Sequence, residues 1–153
     1  MKKLIILIFF LLVQCLAATV VAEDKITLAT LKWEPYVGQS LADYGFAADL
    51  VSTALNRSGY KVDLEFMPWA RAMLSSEKGR YDGAFPAYYS KERDQKFAYT
   101  NKFSQSPVVF CTRADSDIQY NGDLRSLKGY LIGVIRGFVN TSEFDQATYL
   151  QKD

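Results

Sequence analysis

The pattern of apolar and polar positions along the chain predicts strands and helices in alternation. "KITLATLKW" (25–33) alternates as a half-buried strand does and ends at Trp33. "EPY" then breaks it, because Pro35 pushes the residue before it out of the helical region. "GFAADLVSTALNRSGY" (45–60) has apolar residues at 46, 47, 50, 51, 54 and 55, the spacing of one helix face, with Gly59 as its stop. "KVDLEF" (61–66) puts Val62, Leu64 and Phe66 on one side of a second strand. "MPWARAMLSSEKGRYDG" (67–83) opens a helix at Pro68, groups Trp69, Ala72, Met73 and Ser76 on one face, and ends at Gly79.

Further on, "YDGAF" (81–85) is short and apolar enough for a third, central strand, and residues 101–107 read as loop. "VVFC" (108–111) predicts a buried strand, and "YLIGVIRGF" (130–138) another that turns at Gly137. "NTSEFDQATYL" (140–150) predicts a helix with Asn140 and Glu143 in capping-box positions. Strand and helix in alternation argue for an α/β fold with a parallel sheet. The chain reaches its end at "TYLQKD", inside that last helix with no strand to return to. The expectation is a truncated chain that leaves a strand edge and an apolar face uncovered.

The first residues belong to a different reading. Lys2 and Lys3, the apolar run Leu4–Val13 and the small residues up to Ala22 have the layout of a secretory signal peptide, cleaved after Ala22. The run is too short for a bilayer, which takes about 20 residues. Gln14 stands before Cys15 where lipidation calls for a small residue, so cleavage is favoured over lipid attachment. An exported chain of this layout is expected in the periplasm. Of 18 Lys and Arg, the loss of Lys2 and Lys3 leaves 16 against 17 acidic side chains. Such a balance gives no electrostatic footprint for nucleic acid. Only Cys111 remains of two cysteines, so no internal disulfide is expected in an oxidising compartment. The chain has no His, which excludes a Ser-His-Asp triad, a Cys-His pair and a His-based metal site. Neither metal nor cofactor is expected. Aromatic residues make up 14% of the chain, and its ten tyrosines need partners for their hydroxyls if buried, so some are expected to line a cleft.

Three stretches in this order carry a resemblance. They are "WEPY" with the following "YGFAADLVSTAL", "MPWARAM" leading to "GRYDGAF", and "SKERDQKFAYT"; "LKGYLIGVIRGF" adds a fourth. Together they resemble solute-binding protein family 3, the extracytoplasmic receptors of polar amino-acid ABC transporters, in a divergent branch with a "PWxRA" pattern. The resemblance runs from about Lys25 to the end. It implies a two-lobe fold of the type II periplasmic binding kind: residues 23–112 as a first lobe lacking its return segment, and 113–153 as the start of the second. It also implies a monomer that captures a small polar ligand, an amino acid or similar carboxylate, for a membrane ABC transporter permease.

The same resemblance proposes site residues. The Arg of "SKERD" grips a ligand carboxylate in the family, and Arg93 stands there. A planar guanidinium fork suits two carboxylate oxygens where Lys91 offers a point charge. The plainer reading pairs Arg93 with Glu92 or Asp94 on a surface turn. Trp33 and Trp69 match aromatic positions that sandwich a ligand's side chain, although core packing explains most tryptophans at a helix start. Two residues before "S-x-x-R" the family carries Ser or Thr; Tyr88 here implies a different pocket, more aromatic or for a smaller ligand. Thr30 replaces the Asp of receptors for basic amino acids. Gly137 and Phe138 match the second-lobe turn, where backbone N–H groups ahead of a helix could meet an anion. Asn140 reads as a helix cap and Arg71 as an exposed helix residue.

Two other classes stay open: an enzyme on the same scaffold, dehydratase-like, and a ligand-sensing module for a membrane partner. The enzyme would need an acid or base, and no carboxylate pair at suggestive spacing lies near the motifs.

Overall fold

The computed structural model describes residues 24–153. The signal-peptide reading, with Cys15 and the cleavage point after Ala22, lies outside the described residues. The first unit is a parallel sheet of β1 (Asp24–Thr30), β2 (Tyr60–Phe66) and β3 (Gly83–Ala84) in the order β2-β1-β3. β1 and β2 pair along their whole length, from Asp24↔Tyr60 to Thr30↔Phe66. β1, not the "YDGAF" segment, is therefore central, and β3 is an edge held at Leu28↔Gly83 and Ala29↔Ala84. The parallel pairing needs crossovers, supplied by α1 (Phe46–Arg57) and α2 (Trp69–Glu77).

The core follows from this arrangement. Leu28, Ala29, Leu31 and Phe85 come from the sheet, Ala48 from α1, Trp69 and Ala72 from α2, and Val37 from the loop after β1. Val62, Leu64 and Phe66 pack against them as the strand alternation predicts. α1 buries the stripe Ala47, Ala48, Val51 and Leu55, while Phe46 and Leu50 of the expected face point outward. α2 is tied to β3 by the Ser76 hydroxyl, which donates to the Gly83 carbonyl at 3.0 Å. Thr30 is fully buried at the end of β1, and its hydroxyl donates to the Phe85 carbonyl at 2.8 Å. Thr30→Val keeps the shape but leaves that carbonyl without its donor. It should cost about 1–3 kcal/mol, read as a lowered midpoint in denaturant unfolding.

Beyond a one-turn helix α3 (Lys91–Asp94), the chain runs without regular structure to a 3-10 turn at Leu124–Leu127. A second cluster then forms from Leu124, Leu127, Phe144, Ala147 and Leu150, with Phe110, Ile118 and Ile132 packed against it. It holds β4 (Leu131–Ile132), α4 (Ser142–Gln146) and β5 (Gln151–Lys152), with β4 and β5 parallel.

This second region departs from the sequence pattern in four places. "VVFC" is no strand: Val108 and Val109 are exposed, and only Phe110 reaches the cluster. "YLIGVIRGF" is strand only at Leu131–Ile132, paired with β5; past it one backbone bond continues, from the Val134 N–H to the Asp153 carbonyl at 2.7 Å. The final helix is one short turn, and its cap is Thr141 rather than Asn140: the Thr141 hydroxyl accepts from the Phe144 N–H at 3.2 Å. "TYLQKD" ends not in helix but in β5, so α4 does have a strand to return to. Lys152 on β5 donates to the carbonyls of Phe144 and Asp145, satisfying the free end of α4.

Candidate functional site

The site is built at the carboxyl ends of the strands, where open α/β sheets present ligand crevices. After β1 the chain closes a tight turn at "WEPY". The Tyr36 N–H donates to the Trp33 carbonyl at 2.9 Å, and Trp33 and Val37 exchange backbone bonds at 2.7 and 3.0 Å. Fully buried Val37 anchors the turn. The polar context thus serves to hold two rings side by side, Trp33 and Tyr36, with centroids 4.9 Å apart. Glu34 on the same turn accepts from the Ser40 hydroxyl at 2.6 Å and lies near Lys32. The Ser40 hydrogen bond, helped by Lys32, lowers the Glu34 carboxyl from its ordinary value. Its contribution to stability is present at neutral pH and fades as pH falls through that lowered value. Ser40→Ala should move the Glu34 titration back upward, which carboxyl NMR would record.

Arg93 sits on α3, whose single turn is capped by Ser90: the Arg93 N–H donates to the Ser90 hydroxyl at 3.2 Å. Its guanidinium does not pair with either acidic neighbour in the charge run. Nη1 donates to the Tyr88 carbonyl at 3.0 Å and Nη2 to the Gly137 carbonyl at 2.6 Å. Asp94 instead accepts from the Tyr89 hydroxyl at 3.2 Å, which raises the Tyr89 pKa from its ordinary value. The Arg93 Cζ lies 5.8 Å from the centre of the Trp69 ring, within cation–π reach.

Trp33, Trp69, Tyr88, Arg93, Gly137 and Phe138 all meet at one place. Phe138 stands between the tryptophans, 6.1 Å from the Trp33 ring and 6.5 Å from Trp69. Although it lies within the second region in sequence, between β4 and α4, it packs against the first core. Tyr88 meets the Trp33 ring edge-on at 5.9 Å. Trp69 is buried and doubles as core and as the floor under Arg93. The space left among these side chains is about 10 Å³, less than a ligand needs. Gly137, with φ +80, lets the turn press onto α2, where an added Cβ would lie 3.2 Å from Ala70.

Several expectations change here. The Gly137–Phe138 turn is not a helix N-terminus, since α4 begins at Ser142; the Phe138 N–H is already given to the Ile135 carbonyl at 2.9 Å. Asn140 is bound to Asp145 through both its backbone N–H and its side-chain amide. Arg71 is exposed, as expected.

Beside this closed point lies a cavity of about 620 Å³, sharing Trp33, Pro86 and Tyr88 with it. Tyr36, Phe46, Tyr99 and Phe103 supply further rings to its wall. Tyr36, Phe46 and Tyr99 lie inside the family-like motifs but none is singled out there for the site, and Phe103 lies outside them. The one signal was the surplus of aromatic residues over what a core can hold. Among the described residues no group of His, Cys, Asp and Glu is placed to hold a metal ion.

The sequence profile of the bacterial extracellular solute-binding proteins, family 3, matches residues 29–152. The chain belongs to that family. The match begins inside β1 and runs into β5, so it takes in both clusters and every residue at the site. No curated protein matches the chain. Family 3 carries the type II periplasmic binding fold, and the parallel β-α-β units fit part of it. Membership gives this protein a solute-binding role outside the cytoplasm, in a family that works with membrane ABC transporters.

Proposed function

We propose that this family 3 protein captures a small solute bearing a carboxylate, of amino-acid type, in the periplasm and hands it to an ABC permease. One observation carries the proposal. The Arg93 guanidinium lies over an aromatic floor with both outer nitrogens donating to neutral carbonyls rather than to a carboxylate. A ligand carboxylate offers a stronger, charge-assisted partner than the Gly137 carbonyl and can take its place. Trp33, which borders both the Arg93 point and the cavity beside it, would then flank the ligand's body. In this reading residues 23–112 are the first lobe and 113–153 begin the second, with the Gly137 turn as the contact that moves on binding.

The test is to express the chain with its own leader, recover it from the periplasm and denature it. Mass spectrometry then identifies the small molecules released. An amino acid or related carboxylate should be released from wild type and be missing from Arg93→Ala. A retained compound with no acidic group would sink the proposal.

A further inference from the structure

The 620 Å³ cavity next to Arg93 is larger than a small polar side chain needs, and its wall combines aromatic rings with polar side chains of the loop 100–106. Pockets of about 300–1,000 Å³ take drug-sized ligands. The apolar part of the wall is mostly rings: Trp33, Tyr36, Phe46, Tyr88, Tyr89, Tyr99 and Phe103. Three of them are held in place by hydrogen bonds. The Trp33 and Tyr36 rings are held by the "WEPY" turn, and the Tyr99 hydroxyl is fixed by donating to the Tyr88 carbonyl at 3.2 Å. Lys102 is the charged residue on the wall, and no Asp or Glu lines it. Lys102 donates to Gln105 at 2.8 Å, across the loop that closes one side.

A compact aromatic cage would suit a quaternary ammonium. This cavity is too large for that, and an ammonium on its wall opposes a cationic guest. Flat rings around a wide space favour instead a flat, uncharged guest, gained by apolar burial and ring stacking. The cavity and the Arg93 point are neighbours, with Trp33, Pro86 and Tyr88 bordering both. The geometry points to a ligand with two parts: an anionic head at Arg93 and an uncharged aromatic body in the cavity walled by Tyr36, Phe46, Tyr99 and Phe103. The solute class is then an aromatic carboxylate rather than a small polar or basic amino acid. The inference rests on the solute-binding reading of the same site, but it concerns the body and not the head.

The two can be separated with defined probes on the full chain. Trp33 and Trp69 are the chain's two tryptophans and both border the site, so the fluorescence of the wild-type chain reports on it. Propionate, 3-phenylpropionate, 3-phenylpropionamide and phenyltrimethylammonium are titrated against that chain. 3-Phenylpropionate should bind at least about tenfold more tightly than propionate, because burying a ring removes far more apolar area than a methyl. Ala87→Trp, which fills the cavity from an exposed wall position away from Arg93, should reduce that ratio to about one while keeping the melting temperature.

If propionate binds as tightly as 3-phenylpropionate, the inference falls and the carboxylate reading stands. If the amide binds as tightly as the acid and Ala87→Trp abolishes both, the cavity stands and the carboxylate reading falls. Preference for phenyltrimethylammonium over the amide overturns the inference in favour of a cation cage. No binding of any aromatic probe at millimolar concentration overturns it outright.

Discussion

Gly45→Ala should cost about 3 kcal/mol or more of stability, enough to leave a domain of this size largely unfolded at modest denaturant. The backbone at Gly45 has φ 95 and ψ 162, a region almost closed to residues with a side chain, which alone costs about 1–3 kcal/mol. An added Cβ would also lie 2.7 Å from the Tyr36 carbonyl oxygen and 2.9 Å from Leu41 Cδ1. The leucine could turn aside. The carbonyl cannot, because it accepts the Ala47 N–H at 3.0 Å in the first turn of α1. Relief must come from moving the "WEPY" turn or the start of α1, and either loosens Trp33 and Tyr36 at the site. Gly59→Ala is the control: its φ is +89, but nothing lies within 4 Å of an added Cβ. It should lose about 1 kcal/mol, from backbone strain alone. Equal unfolding midpoints for the two variants would show that the close approach at Gly45 is unimportant.

Much of this architecture is legible in the chain, and the reason differs by region. Up to Ala84 each element buries one face against the sheet or a helix on it, so local periodicity reports its type, although Phe46 and Leu50 of the expected α1 face lie outward. The strand alternation at 61–66 and the helix between Pro68 and Gly79 are of this kind. What periodicity cannot give is the place of a strand in its sheet. "YDGAF" is apolar enough to be central, yet β1 holds the middle because it alone pairs on both sides. Beyond residue 100 apolar runs mislead more. Val108, Val109 and Ile135 read as buried strand but lie exposed outside any strand, since a strand exists only where a partner offers a ladder, and Leu131 is exposed although it pairs in β4. The site divides in the same way. Trp33, Trp69, Tyr88 and Arg93 come from short motifs whose order resembles the family's, and they converge. Tyr36, Phe46 and Tyr99 lie in the same motifs without a role attached to them, and Phe103 lies in a loop outside them, so only the surplus of aromatic residues announces their convergence.

Arg93→Ala should have the largest effect on solute capture. It removes the one guanidinium at the site and leaves a ligand carboxylate desolvated without its fork. Truncating one side of such a pair costs about 2–5 kcal/mol, roughly 30-fold to several thousand-fold in affinity. A second term works in the opposite direction. Arg93 also donates to the Gly137 carbonyl, tethering the turn that carries Phe138 into the closed space. Releasing that tether eases entry by the worth of one hydrogen bond, about 0.5–1.5 kcal/mol. The loss is larger, so affinity falls. The two terms separate in Arg93→Lys, whose ammonium keeps the charge but cannot fork. It should recover part of the affinity for a carboxylate. Trp33→Ala should weaken binding less, because it removes a wall and not the charge partner, and should change the order of preferred ligands. Calorimetry with the solute recovered from the periplasmic protein makes the comparison. If Arg93→Ala binds that solute as tightly as wild type, the guanidinium serves only to hold the Gly137 turn, and the carboxylate is gripped elsewhere or not at all.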